Sequence, residues 1–336
     1  MCIRDRYNGV LSSFDLPAQA TYNNLKINAG AGKTAIQVND ITLNGDLEVS
    51  QGTFQVNDAT AASRTLIVAG DMDVQSGAAL STGSGAVTHN IILSGDFTNE
   101  GTVDLTNNAD FAANTLGAAD LTFTGSSNAT AIVNAATSFY GFIVDKGSDQ
   151  SFTVEVLSDA ATSPFDGNNS NNVITLKNGT FKLGENITVS RLRTTVTNYD
   201  IGTDQNDNAG LWVNGADVTL GAAALVVYGN LKISLGSFNA MGMGQGSIVT
   251  REGGSIYIEG GTLTANQIRP SNTASHTGSW IQTGGTVNVN GPATVTDYPV
   301  FTWPYSTSQF HMSGGTLNVS GPTASGTAAV SYTHLR

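Results

Sequence analysis

The chain has 336 residues, a formal net charge of −12, only 14 Lys plus Arg, and 12% charged residues overall. Its cations do not cluster along the chain, which argues against nucleic acid and anionic membranes as partners, because phosphate recognition needs concentrated positive charge. No apolar run approaches the roughly 18 residues needed to cross a bilayer, and Cys2 is the only cysteine, so no internal disulfide is available.

In chain order, the first six residues fit no repeat. From about residue 20 to 110 the chain reads as regular coils. Ile41, Leu43, Gly45-Asp46, Leu47 and Val49 recur 25 residues later as Leu66, Val68, Gly70-Asp71, Met72 and Val74. They recur again, after the same step, as Ile91, Leu93, Gly95-Asp96 and Phe97. Short strands with one apolar face, punctuated by glycine at a fixed period, are the mark of a solenoid. The stretch 111–205 is less regular and carries Asn/Ser/Gly-rich loops near 159–172 and 198–210. Coils resume near Leu211. Gly229, Gly254 and Gly278 open similar strands, and Gly236, Gly261 and Gly285 close them. A last copy, around Phe310 and Gly315, follows a longer step of 30 residues.

This pattern predicts an all-β fold, a right-handed parallel β-helix (β-solenoid) with about 24–25 residues per coil and equivalent strands about 4.8 Å apart. Residues 7–330 read as a single solenoid, about 12 coils and roughly 60 Å long at that spacing. Glycines at equivalent corners are expected to supply positive φ. Leu43, Val68 and Leu93 should form one buried column, and Leu47, Met72 and Phe97 another. Leu231, Ile256, Trp280 and Phe310 make a third, and Phe238, Leu263, Val287 and Leu317 a fourth.

Residues 22–56 and 121–144 carry phrases such as Tyr22-Asn-Asn-Leu-Lys-Ile-Asn28 and Leu43-Asn-Gly-Asp-Leu-Glu-Val49. These resemble repeat-rich surface proteins of Gram-negative bacteria, exported by type IX secretion or as autotransporter passengers. The resemblance implies a parallel β-helix that is extracellular or on the cell surface. The end segments, 1–6 and 331–336, resemble translated sequencing-adapter sequence. That reading makes them dispensable ends with few contacts, and the chain a fragment of a larger protein.

Chemistry is harder to find. Polysaccharide lyases and hydrolases on this fold carry paired aspartates with Gly-His-Gly and Arg-x-Lys, or an Arg-bearing catalytic strand, and neither set is present. Ile268-Arg269-Pro270 echoes one lyase fragment only. His89, His276, His311 and His334 read as surface histidines without an evident carboxylate or arginine partner. Asp46, Asp71 and Asp96 should point outward in line, either bonded to turn backbone or bridged by a hard cation. Asp204, Asn206 and Asn208 place oxygens at alternate positions, as in a calcium loop. Its glycine, Gly210, falls one place late, however, and the twelfth position is Gly215. The segment 297–305 holds Tyr298, Phe301, Trp303 and Tyr305 among two prolines. It should bulge from the sheets and offer rings to a surface glycan or a protein partner. Trp212 and Tyr257 are further candidate outward rings. The expected function is a structural or adhesive surface rod, not an enzyme. The alternatives are a carbohydrate-binding module and a non-catalytic part of a polysaccharide-active enzyme.

Overall fold

The computed structural model describes residues 4–7, 11–17, 21–106, 117–165, 173–192, 198–203, 208–241, 246–270, 277–291, 300–301, 303, 308–323 and 326–333. Side chains are described from residue 11 to residue 320. The described chain is all-β and forms parallel β-solenoid coils. No helix is long and apolar enough to cross a membrane. The chain divides into two compact units, Met1–Gly147 with Phe152–Thr175, and Ser148–Ser151 with Leu176–Arg336.

In the first unit each full coil contributes to three ladders. On the first face Leu25, Leu47, Met72, Phe97 and Ala131 follow one another in parallel register. On the second, Ala35, Phe54, Leu80 and Val103 do so. On the third, Leu43, Val68, Leu93, Phe123 and Val144 do so. Every one of these side chains is buried. Fully burying a residue of this kind removes enough apolar surface to contribute roughly 1.5–3 kcal/mol, so the columns are the main source of stability. The loop near 159–172 is less open than its composition suggests. Phe165 turns inward, its ring centroid 5.5 Å from that of Phe139 and 5.4 Å from that of Phe142. Phe139 N–H donates to Pro164 O at 3.0 Å.

The second unit repeats the plan. Leu211, Leu231, Ile256, Trp280 and Phe310 align on one face. Val218, Phe238, Leu263, Val287 and Leu317 align on the next. Tyr199, Leu225, Ile248 and Ile268 align on the third. The strand Tyr199–Ile201 lies inside the stretch expected to be loop, 198–210. Phe310 departs from its expected burial. It holds the column register, yet it is 45% exposed.

The ends also depart from expectation. Arg4–Tyr7 pairs in parallel with Asn24–Ile27, so part of the first six residues lies in a ladder. Gly326–Thr333 pairs antiparallel with Thr316–Thr323, which brings residues 331–333 into a hairpin and breaks the all-parallel pattern there.

The repeat glycines divide: Gly52, Gly77, Gly236, Gly261, Gly285 and Gly315 have the expected positive φ, but those of the Gly-Asp pairs serve a different purpose. None of Gly45, Gly70 and Gly95 has a positive φ, whereas Gly52, seven residues after Gly45, does (79°). What Gly70 requires is space. A Cβ built on it would stand 2.8 Å from the carbonyl carbon of Gly45, and still closer to Asp46 Oδ1. The coils approach closely at this corner, where Gly70 N–H donates to Gly45 O at 3.0 Å.

Interior polar groups close several other corners. Gln37 Nε2 donates to Asn39 O (3.0 Å) and Thr65 O (2.9 Å), and Asn99 Nδ2 donates to Ala136 O (3.0 Å) and Thr137 Oγ1 (2.8 Å). Lys146, fully buried, donates through Nζ to Ser94 O at 3.1 Å and to Thr124 O. Burial pushes its pKa down, opposed by the charge of Asp96.

Candidate functional site

The Asp46, Asp71 and Asp96 carboxylates are exposed and lie in line, as expected. Each accepts a backbone hydrogen bond from the coil that follows. Asp46 Oδ1 accepts from Asp71 N (3.0 Å), Asp71 Oδ1 from Asp96 N (2.8 Å), and Asp96 Oδ1 from Thr130 N (2.7 Å). Asn24 begins the series by accepting from Asp46 N at 2.7 Å. The Gly-Asp repeat is therefore one device in two parts. The carboxylate of one coil reaches an amide of the next, and the glycine of that next coil leaves room for it. Replacing Gly70 by Ala should cost about 2 kcal/mol of overpacking. Asp46→Ala removes the nearest obstacle, so the two changes together should cost less than their sum. Simple additivity in a double-mutant cycle by thermal melts would contradict the coupling.

Among the described residues, no group of three or more His, Cys, Asp or Glu is placed to hold a metal ion. Asp204 and Asn206 of the proposed calcium loop lie outside the described residues. Asn208, half-buried, accepts from Gly179 N at 2.9 Å through its backbone carbonyl.

Of the aromatic segment, Tyr298 and Tyr305 lie outside the described residues. Phe301 and Trp303 are half-buried. The expectation that this segment stands outside the sheets fails at Phe301, which forms an isolated parallel bridge with Ile268. Beside it, Ile268 N–H donates to Val300 O at 3.0 Å. The Phe301 ring packs edge-on to Trp280 (5.6 Å between centroids) and Phe310 (5.8 Å). Trp303 lies 6.0 Å from Trp280, and its Nε1–H donates to Gly278 O at 3.3 Å. Apolar rings gain most by covering other apolar surface, and here they cover the flank of the Trp280 column. Trp303→Ala should therefore lower stability by about 1–2 kcal/mol, below the cost of a fully buried ring. An unchanged melting temperature would restore Trp303 as a freely displayed ring.

His89 is not a surface histidine, nor is it without an arginine neighbour. It is fully buried, and Nδ1 accepts from Arg64 N at 3.1 Å. Burial, with a smaller contribution from the Arg64 charge, lowers its pKa to about 4. His311 is exposed, while His276 and His334 lie outside the described residues.

The most organised outward cluster combines a ring named from the sequence with two lysines that were not. Lys182 is the register partner of Trp212 from the preceding coil, and Lys232 its partner from the following coil. Lys182 Nζ stands 4.5 Å, and Lys232 Nζ 4.3 Å, from the centroid of the Trp212 ring. The indole Nε1–H donates to Ser234 Oγ at 2.7 Å, and Ser234 in turn donates to Asn214 Oδ1 at 2.7 Å. Lys232 also pairs with Glu259 at 3.0 Å. Tyr257 continues the same outward column beside Lys232 and is half-buried.

No family model, curated protein or solved structure matches the chain.

The lysines share a signal that was legible in principle. Each member of the cluster sits between two apolar residues, in Phe181-Lys-Leu183, Leu211-Trp-Val213 and Leu231-Lys-Ile233. The two steps, 30 and then 20 residues, depart from the 25-residue period in opposite directions and hide the alignment.

Proposed function

We propose that the chain is a structural or adhesive solenoid of an extracellular or cell-surface protein. The ladder Asn24–Asp46–Asp71–Asp96–Thr130 is the observation that carries this reading. Here surface side chains are spent on joining coil to coil, which suits a stiff support. The test is adhesion. Beads coated with the protein should be retained on glycan- or mucin-coated surfaces and not on bare ones. Release of reducing or unsaturated sugar ends from the glycan would replace the reading with an enzymatic one.

A second reading, a carbohydrate-binding module, is favoured by Trp212 and Tyr257, half-exposed on one outward column. A glycan array separates the two. A defined sugar specificity favours the module, and retention on surfaces without one favours the rod.

A further inference from the structure

We propose that the Lys182–Trp212–Lys232 cluster is a docking site for an acidic polysaccharide lying along the stacking direction of the second unit. The proposal rests on the adhesive reading and names the partner chemistry.

Two ammonium groups from alternate coils are held against one indole face system, at 4.5 and 4.3 Å from its centroid. Like charges brought this near repel, and the ring quadrupole offsets that repulsion. The indole itself is fixed by Ser234, and Ser234 by Asn214. The side-chain freedom that a ligand would otherwise have to freeze is therefore already reduced. The site also remains reachable, since the Lys232 side chain is 30% exposed and its partner Glu259 is 47% exposed.

Charge complementarity selects the occupant. In a chain of net charge −12, this column places two cations on alternate coils, one on either side of an aromatic ring. Outward positions on alternate coils are roughly 10 Å apart, about the span of two residues in an extended polysaccharide. A chain with an anionic group on its sugars can thus meet both ammonium groups while its neutral ring faces pass Tyr257. Glu259 is the built-in competitor, because its carboxylate already occupies one side of Lys232.

The experiment is binding of the whole chain, at low salt, to polygalacturonate, alginate and heparin, with neutral dextran and single-stranded DNA alongside. Carboxylated or sulfated glycans should bind, weakening as salt rises, and the two sets distinguish which anion is preferred. The double variant Lys182→Ala/Lys232→Ala should lose on the order of tenfold or more in affinity. The double variant Lys182→Arg/Lys232→Arg should retain binding. Glu259→Gln should bind more tightly than the native chain. Melting temperatures of all three establish that folding is intact, and the Arg pair and Glu259→Gln keep the test decisive if the Ala pair fails to fold. The proposal is overturned if the Ala pair binds as well as the native chain. It is also overturned if dextran or DNA binds as tightly as the acidic glycans, or if none of them binds. Retention of the Ala pair on coated beads would end this site while leaving the adhesive reading in place.

Discussion

Replacing Ile256 by Asp should unfold the coils around it. Ile256 is fully buried, between Leu231 of the preceding coil and Trp280 of the next. An aspartate there would place a carboxylate among apolar side chains, with no cation in its column. An uncompensated buried charge of this kind costs about 3–5 kcal/mol. Because each coil is stabilised by its neighbours, the damage should spread to adjoining coils. For a unit of this size the melting temperature should fall by on the order of 10 °C. Thr264→Asp is the control. Thr264 lies in register with Asn239 and Asn288, at an outward position of the neighbouring face. It should change stability by no more than about 0.5 kcal/mol. Equal damage from the two substitutions would mean that the inward and outward faces are assigned the wrong way round.

Stability should also fall as the solution is acidified from about pH 6.5 to about pH 4, through His89. In the folded chain its pKa is about 4, held there mainly by burial. In the unfolded chain it returns to about 6.5. Between those values the unfolded state binds the proton and the folded state refuses it, so protons drive unfolding. The contribution is fully present above the unfolded pKa and lost as pH falls through the window, with a total on the order of 3 kcal/mol. Asp73 acts in the opposite sense. Its pKa is raised, first by burial, so protonation favours the folded state as pH falls. The His89→Gln variant separates the two. The difference between native and variant stability should shrink across pH 6.5 to 4, and Asp73 cancels from it. A pH-independent difference would show that His89 does not titrate in that window.

The sequence revealed the architecture because a solenoid repeats its packing problem. Leu43, Val68 and Leu93 meet the same environment one coil apart, so a fixed period exposed the column. The same logic held for Gly236, Gly261 and Gly285 but misread the glycines of the Gly-Asp pairs, since period alone does not tell a positive φ from close approach. At Gly70 the deciding atom is Asp46 Oδ1, 24 residues away in sequence. Phe310 kept its register but not its burial, because register is set by backbone pairing and burial by whatever else covers the ring. His89 reads as a surface residue because it stands between Thr88 and Asn90, whereas strand alternation with Ile91 and Leu93 sets it on the inward face. The Lys182–Trp212–Lys232 cluster was missed for a reason of arithmetic. Two unequal steps moved its members off the period, while the backbone registers restored them to one column.

In-register parallel stacking is the claim on which all else depends, and cysteine cross-linking tests it most directly. Glu48 and Asp73 are register partners on adjacent coils, and Thr98 follows Asp73. Adjacent strands lie about 4.8 Å apart, within the Cα separation of roughly 4.4–6.8 Å that a disulfide tolerates, whereas two coils span about twice the strand spacing. In a Cys2→Ser background, mild oxidation should close a disulfide in the Glu48→Cys/Asp73→Cys chain and leave the Glu48→Cys/Thr98→Cys chain open. Closure of the second pair without the first would contradict the stacking.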